Sequence, residues 1–298
     1  MKPMREALTK NALRLLFKPV MRPEVPIGVQ RAWVQALTLI NLPAPGIDSE
    51  YGLFGGVPCE ILLPKQAPRR TIVFLHGGAY VLGSPATHRA ITSFLAADAQ
   101  ARVIVPDYRL APEHPWPAAL EDAVATFKEV SARFGPAALS GDSAGGGLAL
   151  SCAQALRDQG AQLPEALLLI SPWADMSNSQ PSHVERAQRE PMLRGDWSRF
   201  SMKAFVNGQG APEDPRWSPL FAEMRGLPPT RIHVGSEEIL HDDAVALEAA
   251  MRNAGVTASL RVFDGLWHDF HMHARLLPRA REGVQDLAAF LDEAASTA

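Results

Sequence analysis

The sequence predicts an α/β fold: a mostly parallel, doubly wound sheet flanked by helices, with a helical cap. Three observations predict it. Several short strands are apolar on both faces, helical segments alternate with them, and one long stretch breaks the alternation.

Residues 4–18 set Leu8, Leu13, Leu15, Leu16 and Phe17 among Arg5, Lys10, Arg14 and Lys18, a helical spacing closed by Pro19. Residues 27–41, with Trp33, Val34, Leu37 and Ile40, read as a second helix that stops before Pro43. The linker 21–26 carries Pro23 and Pro26 and is non-helical. A basic amphipathic helix can lie on a membrane or pack on its own protein. The apolar residues of 4–18 are too few for strong membrane binding, so packing is expected.

Residues 57–63 read as a strand, and 71–75, 102–105, 137–139, 166–170, 231–234 and 259–263 as short, largely apolar ones. Helical segments at 86–99, 117–133, 144–158, 243–254 and 279–294 separate them. Residues 175–225 hold no convincing strand and are rich in proline and aromatic residues. An insertion of that length often forms a lid over a ligand crevice. Its Trp197, Phe200, Phe205 and Trp217 either line an apolar pocket or form a small core of the lid itself.

A chain of 298 residues, 47% of them hydrophobic, can bury one large core and a small appended lid. A formal net charge of −3, from 29 basic and 32 acidic side chains, gives no reason to expect nucleic acid as a partner. Two cysteines, Cys59 and Cys152, make no disulfide framework, and a reducing cytoplasm is the expected location. Lys10, Arg14 and Lys18 interrupt any signal-peptide run, and no stretch is apolar for long enough to suggest a membrane span.

The chemistry concentrates at predicted strand ends. Gly141-Asp142-Ser143-Ala144-Gly145 is a G-x-S-x-G elbow between a strand and a helix, which would expose the Ser143 hydroxyl at the carboxyl edge of the sheet. His76-Gly77-Gly78-Ala79 follows another strand; the amides of Gly77 and Gly78, with that of Ala144, are candidate donors to an oxyanion. His76 is expected to hold this loop rather than act as a base. Ser143 needs a base and the base an orienting acid. His268 lies in a loop between a strand and the last helix, and the carboxylates of the segment 235–243 follow the strand before it. The three groups are expected in one hydrogen-bonded line. Asp142 is expected to make local hydrogen bonds, and Asp107, Arg109 and Glu113 a structural polar network. His241 with Asp242 and Asp243, or His268, His271 and His273, match a zinc or manganese site loosely, but helix capping explains the aspartates as well.

His76-Gly77-Gly78, the run Pro106-Asp107-Tyr108-Arg109-Leu110-Ala111-Pro112-Glu113, Gly141 to Gly146, and Ser171-Pro172-Trp173 occur in that order. Together they make the chain resemble the hormone-sensitive-lipase family of bacterial esterases, α/β-hydrolases with a GDSAG elbow, from about residue 57 onward. The resemblance implies an eight-stranded sheet and carboxylic-ester hydrolysis without cofactor or metal. It also implies a cap built from residues 1–45 and 175–225 on a catalytic domain of 46–174 and 226–298. The reaction it implies runs through an acyl-enzyme on short- to medium-chain or compact hydrophobic esters. Laid on the family pattern, Leu240-His241-Asp242-Asp243 puts the acid at Glu238, with Glu237 as competitor; aspartate is commoner there, and the family's further glycine is Ala79 here. Relatives often dimerise through the sheet edge near the C-terminus. The competing readings are a lactone hydrolase, an amidase or peptidase, and a non-catalytic receptor for small molecules. Receptors on this fold lose triad residues, and here all three positions are filled.

Overall fold

A computed structural model of the chain describes residues 2–38 and 42–297. The strands are β1 (Ile47–Phe54), β2 (Val57–Pro64), β3 (Arg70–Leu75), β4 (Ala101–Pro106), β5 (Ala137–Asp142), β6 (Leu167–Ile170), β7 (Thr230–Gly235) and β8 (Ala258–Phe263). They form one eight-stranded sheet in the order β1-β2-β4-β3-β5-β6-β7-β8. From β4 to β8 every pairing is parallel, while β1–β2 and β2–β4 are antiparallel.

The apolar strands are buried on both faces. In β3, Val73 and Leu75 enter one core while Ile72 and Phe74 enter the other; in β6, Leu167 and Leu169 alternate with Leu168 and Ile170 in the same way. Each such side chain contributes roughly 1.5–3 kcal/mol by leaving water. Helices α4 (Ala118–Phe134), α5 (Ala144–Asp158) and α8 (His241–Asn253) cover the first face; α3 (Pro85–Asp98) and α9 (Pro278–Thr297) cover the second. Ser84 starts α3 with a capping box, accepting from the Thr87 amide while Thr87 accepts from its own.

The residue pattern did not reveal β1, because only Phe54 at its end is buried. The overlooked signal is the turn: Gly55 and Gly56 both have positive φ, 62° and 78°, as a two-residue hairpin turn requires.

At the N-terminus, α1 (Lys2–Leu16) and α2 (Ile27–Leu37) end earlier than 4–18 and 27–41 suggest. Ile40 lies outside the described residues. α1 packs on its own chain: the insertion's backbone carbonyls take Arg14 Nη2 (Arg189, 3.0 Å) and Lys18 Nζ (Ala187, 3.0 Å). Leu8 and Leu15 stay exposed. From α2, Arg31 clamps both oxygens of Glu113 at 2.8 Å and reaches the Val81 and Ala111 carbonyls. Arg109 pairs with Asp122 and Glu121. Residues 175–225 contain α6 (Ser182–Glu185), α7 (Gly195–Val206) and one 3₁₀ turn, and no strand. Both cysteines are free and buried.

The chain leaves β3 toward β4 on one side and β5 toward β6 on the other, so the crevice beyond the carboxyl ends of β3 and β5 is the topological switch point.

Candidate active site

Both glycine-rich motifs open onto that crevice. Ser143 sits between the last residue of β5 and the first of α5 with φ 54° and ψ −122°, a strained conformation for a residue with a side chain. The turn is this sharp because Gly145 abuts β3: a Cβ there would fall on the Leu75 carbonyl. Ser143 is 6% exposed, and its amide donates to the Ile170 carbonyl at 2.8 Å. Ala144, first in α5, has no carbonyl one turn back for its amide to reach.

After β3 the loop turns at Gly78, φ 117°, where a Cβ would meet the Leu82 carbonyl. The Gly77 amide, expected among the oxyanion donors, instead donates to Asp142 Oδ1 at 3.0 Å. Asp142 Oδ2 lies 3.2 Å from His88 Nε2 on α3. Burial alone would raise the Asp142 pKa, but His88 holds it below the usual carboxylate range. His76 is fully buried, stacks on Tyr108 with centroids 4.2 Å apart, and is pushed down to about 3 by burial. That is a neutral ring supporting a loop.

Glu238 follows β7 and is fully buried. Its Oε1 accepts from the Gly235 amide at 2.5 Å and from Ser171 Oγ at 2.9 Å, while Oε2 lies 2.8 Å from His268 Nδ1. Glu237 turns the other way and pairs with Lys10 of α1. The acid–imidazole link expected of Glu238 is therefore present.

The link to serine is not. His268 is 1% exposed, and its Nε2 lies 2.9 Å from Asp269 Oδ2; among the described residues it makes no hydrogen bond to Ser143. Burial disfavours an imidazolium, but Asp269 and Glu238 on opposite sides of the ring outweigh it and lift the His268 pKa well above its ordinary value. Burial also lifts Asp269 and Glu190 to about 7 each. Glu190 comes from the insertion and holds the loop: its Oε1 accepts from the Met192 and Leu193 amides, and its Oε2 lies 3.4 Å from the His268 amide nitrogen.

Ser143, His268 and Asp269 share a cavity of about 80 Å³ whose apolar wall includes Phe17, Val34, Trp197 and Met272. A second chamber of about 230 Å³, between α1, α2 and the loop after β8, has Phe17, Val34, Thr87, Met192 and Met272 in its wall too.

Residues 72–272 match the family described as alpha/beta hydrolase fold. An acetyl-hydrolase from Streptomyces hygroscopicus is 42% identical over 240 residues, 80% of each chain. The crystal structure of an esterase from the bacterial hormone-sensitive lipase family superposes with a TM-score of 0.92 at 34% identity, over 97% of both chains. The chain belongs to this esterase family. A further esterase of known structure, EstE5 soaked with p-nitrophenyl butyrate, has a TM-score of 0.91 at 35% identity, covering 97% of this chain and 98% of that one. As a serine carboxylesterase, the protein needs a seryl hydroxyl, an imidazole and oxyanion donors around one cavity, and the crevice brings such groups together.

Of the insertion's aromatics, Trp197 takes the pocket role, while Phe205 and Trp217 pack on the body of the fold rather than in a core of the lid's own. Trp197 lines the cavity of this esterase and donates from Nε1 to Gln30 at 2.7 Å. Phe205 stacks on Tyr80 at 3.9 Å, and Trp217 packs edge-on to Trp116. Four further residues belong to the site: His88, Ser171, Glu190 and Asp269. Ser171 stands in a motif already singled out and Asp269 beside the histidine. Nothing in the sequence marks His88 or Glu190.

Proposed function

We propose that the esterase hydrolyses short- to medium-chain or compact hydrophobic carboxylic esters through an acyl-enzyme on Ser143, with His268 as general base and Glu238 as its orienting acid. The observation that carries this reading is the fully buried Glu238 carboxylate, held by two donors and facing His268 Nδ1 at 2.8 Å. A neutral imidazole that donates from Nδ1 leaves its Nε2 lone pair for the seryl proton. Ser143 attacks the ester carbonyl as that proton moves to His268. Gly78 and Ala144 hold the oxyanion, one such donor being worth roughly 3 kcal/mol. Gly77 braces the loop through Asp142 and becomes a third donor where Asp142 releases it. His268 then protonates the leaving alcohol and activates the water that frees the acid, while Glu238 stabilises the imidazolium.

The small cavity above Ser143 and the apolar chamber sharing five of its wall residues favour a short acyl group reaching toward α1 and α2. Residues 1–45 and 175–225 act as the cap, since Phe17, Val34 and Trp197 from these segments stand over Ser143. A cytoplasmic location fits the two unpaired cysteines, and among the described residues no helix is long and apolar enough to cross a membrane. β8, one of the two edge strands of the sheet, is the edge proposed for a homodimer.

Turnover of a p-nitrophenyl ester series by wild type and Ser143→Ala tests the reading. The variant should lose about 10⁴-fold or more in kcat. Equal turnover by the variant removes Ser143 as nucleophile, and none by wild type leaves a receptor. Faster opening of small lactones than of matched esters moves the assignment to a lactonase.

A further inference from the structure

His268 is flanked by two carboxylates, and only one has a role in the reading above. Glu238 is held by the Gly235 amide and Ser171 Oγ before it meets the ring. Asp269 has no such bracing. Its Oδ2 lies 2.9 Å from His268 Nε2, and its Oδ1 is buried without a hydrogen-bond partner among the described residues. The residue is 8% exposed, lines the cavity with Ser143, and has φ 50° in the left-handed region. Its amide nitrogen lies 3.4 Å from Ser171 Oγ, so one hydroxyl serves both carboxylate residues.

We propose that Asp269 is a proton-operated latch on the catalytic base: by sharing a proton with the serine-facing nitrogen of His268 it keeps the base at rest, and loss of that proton with a turn of the carboxylate readies the site. This rests on Ser143 and His268 being the reacting pair. At rest, the group of Glu238, His268 and Asp269 holds one proton on Nδ1 and one between Nε2 and Oδ2. Whichever of those two atoms carries the second proton, Nε2 has no lone pair for the Ser143 hydroxyl. Release of that single proton to water leaves a neutral ring bonded to Glu238, with its Nε2 lone pair facing a bare carboxylate. The two repel, the carboxylate turns away through its own side-chain rotation, and Ser143 can donate to Nε2.

The charged groups around Asp269 come from several elements. His268 is its neighbour in the chain, Glu238 comes from the loop after β7, Asp142 from the end of β5, and His88 from α3. Glu190 of the insertion approaches the same histidine from its backbone side. Asp142 and Glu238 disfavour a second negative charge at Asp269, and His88 favours it. The shared proton belongs to the cluster and leaves in one macroscopic step.

The test is the pH dependence of kcat/KM for p-nitrophenyl acetate in wild type, Asp269→Gly and Asp269→Asn. Glycine suits the left-handed backbone, and asparagine keeps the size while removing the charge. In wild type the acid limb should lie above the ordinary histidine value of about 6.5. In both variants it should move down by about one pH unit, a gain of about tenfold at the foot of the limb, whatever happens to the plateau. Imidazole ¹⁵N NMR titration of His268 reads the same shift directly, even in a variant that turns over slowly. A limb and an imidazole titration that stay in place in both variants, while Ser143→Ala is inactive, overturn the proposal; a lowered plateau alone would mean a structural role. Activity surviving in Ser143→Ala would instead defeat the catalytic reading beneath it.

Discussion

The sheet and the helical layer above it hold the site by different physics. At the strand ends, backbone geometry does the holding: Ser143 is pinned on a strained turn, Gly78 lies at φ 117°, and the Gly235 amide points at Glu238. In the helical layer, long side chains grip backbone carbonyls, as Arg14, Lys18 and Arg31 do. The first kind of contact demands particular residue types at particular spacings. The second demands only a long donor, because every residue offers a carbonyl.

Four substitutions sharpen that contrast, one matched pair first and then two single changes in order of expected effect. Glu238→Gln should lower kcat by about 10³- to 10⁴-fold, since an amide cannot stabilise the imidazolium and favours the wrong tautomer. Glu237→Gln, which loses only a pair with Lys10, should stay within a few-fold of wild type. Steady-state kinetics on one ester compares the two, and an equal loss in both would erase the distinction between them. Next, Glu190→Ala strips the acceptor from the Met192 and Leu193 amides and the support from the His268 backbone. Orphaned buried donors cost about 1–3 kcal/mol each, so a loss of about 3 kcal/mol in denaturant unfolding is expected, with a weakened kcat. An unchanged midpoint would mean that the insertion is held elsewhere. Smaller than the loss from Glu190→Ala is that from Leu13→Trp, in the wall of the outer chamber but not of the cavity at Ser143. The octanoate ester should lose about tenfold in kcat/KM while the acetate ester keeps its rate, because blocking apolar contact removes a few CH₂ groups' worth of burial. Equal losses on both esters would place the acyl group outside the chamber.

The same contrast explains what could be read from residues alone. Ser143 and the two glycines of the loop after β3 stood out because few residue types tolerate those turns, and His268 because it follows the serine and the acid in chain order, in a loop before the last helix. Five strands announced themselves by being apolar on both faces and 57–63 and 259–263 by a looser strand pattern, whereas β1 hid because its faces are mostly solvated and only its turn carried a signal. Glu190 was silent for a different reason. It is one carboxylate in a proline-rich stretch, and it matters only because the insertion folds back to meet the loop of His268. The Gly77 amide shows a limit of motif reading as well: the motif identifies a loop rich in donors, while Asp142, fixed by His88, decides which of them is spent.

The five wall residues common to cavity and chamber have a consequence for how such an enzyme can diversify. Phe17 and Val34 stand in the first forty positions, far along the chain from the reacting groups. If the acyl group enters the chamber as proposed, exchanging that leading segment between relatives would transplant a preference for acyl length while leaving the chemistry in place, so that selectivity and reactivity could drift on separate stretches of one gene.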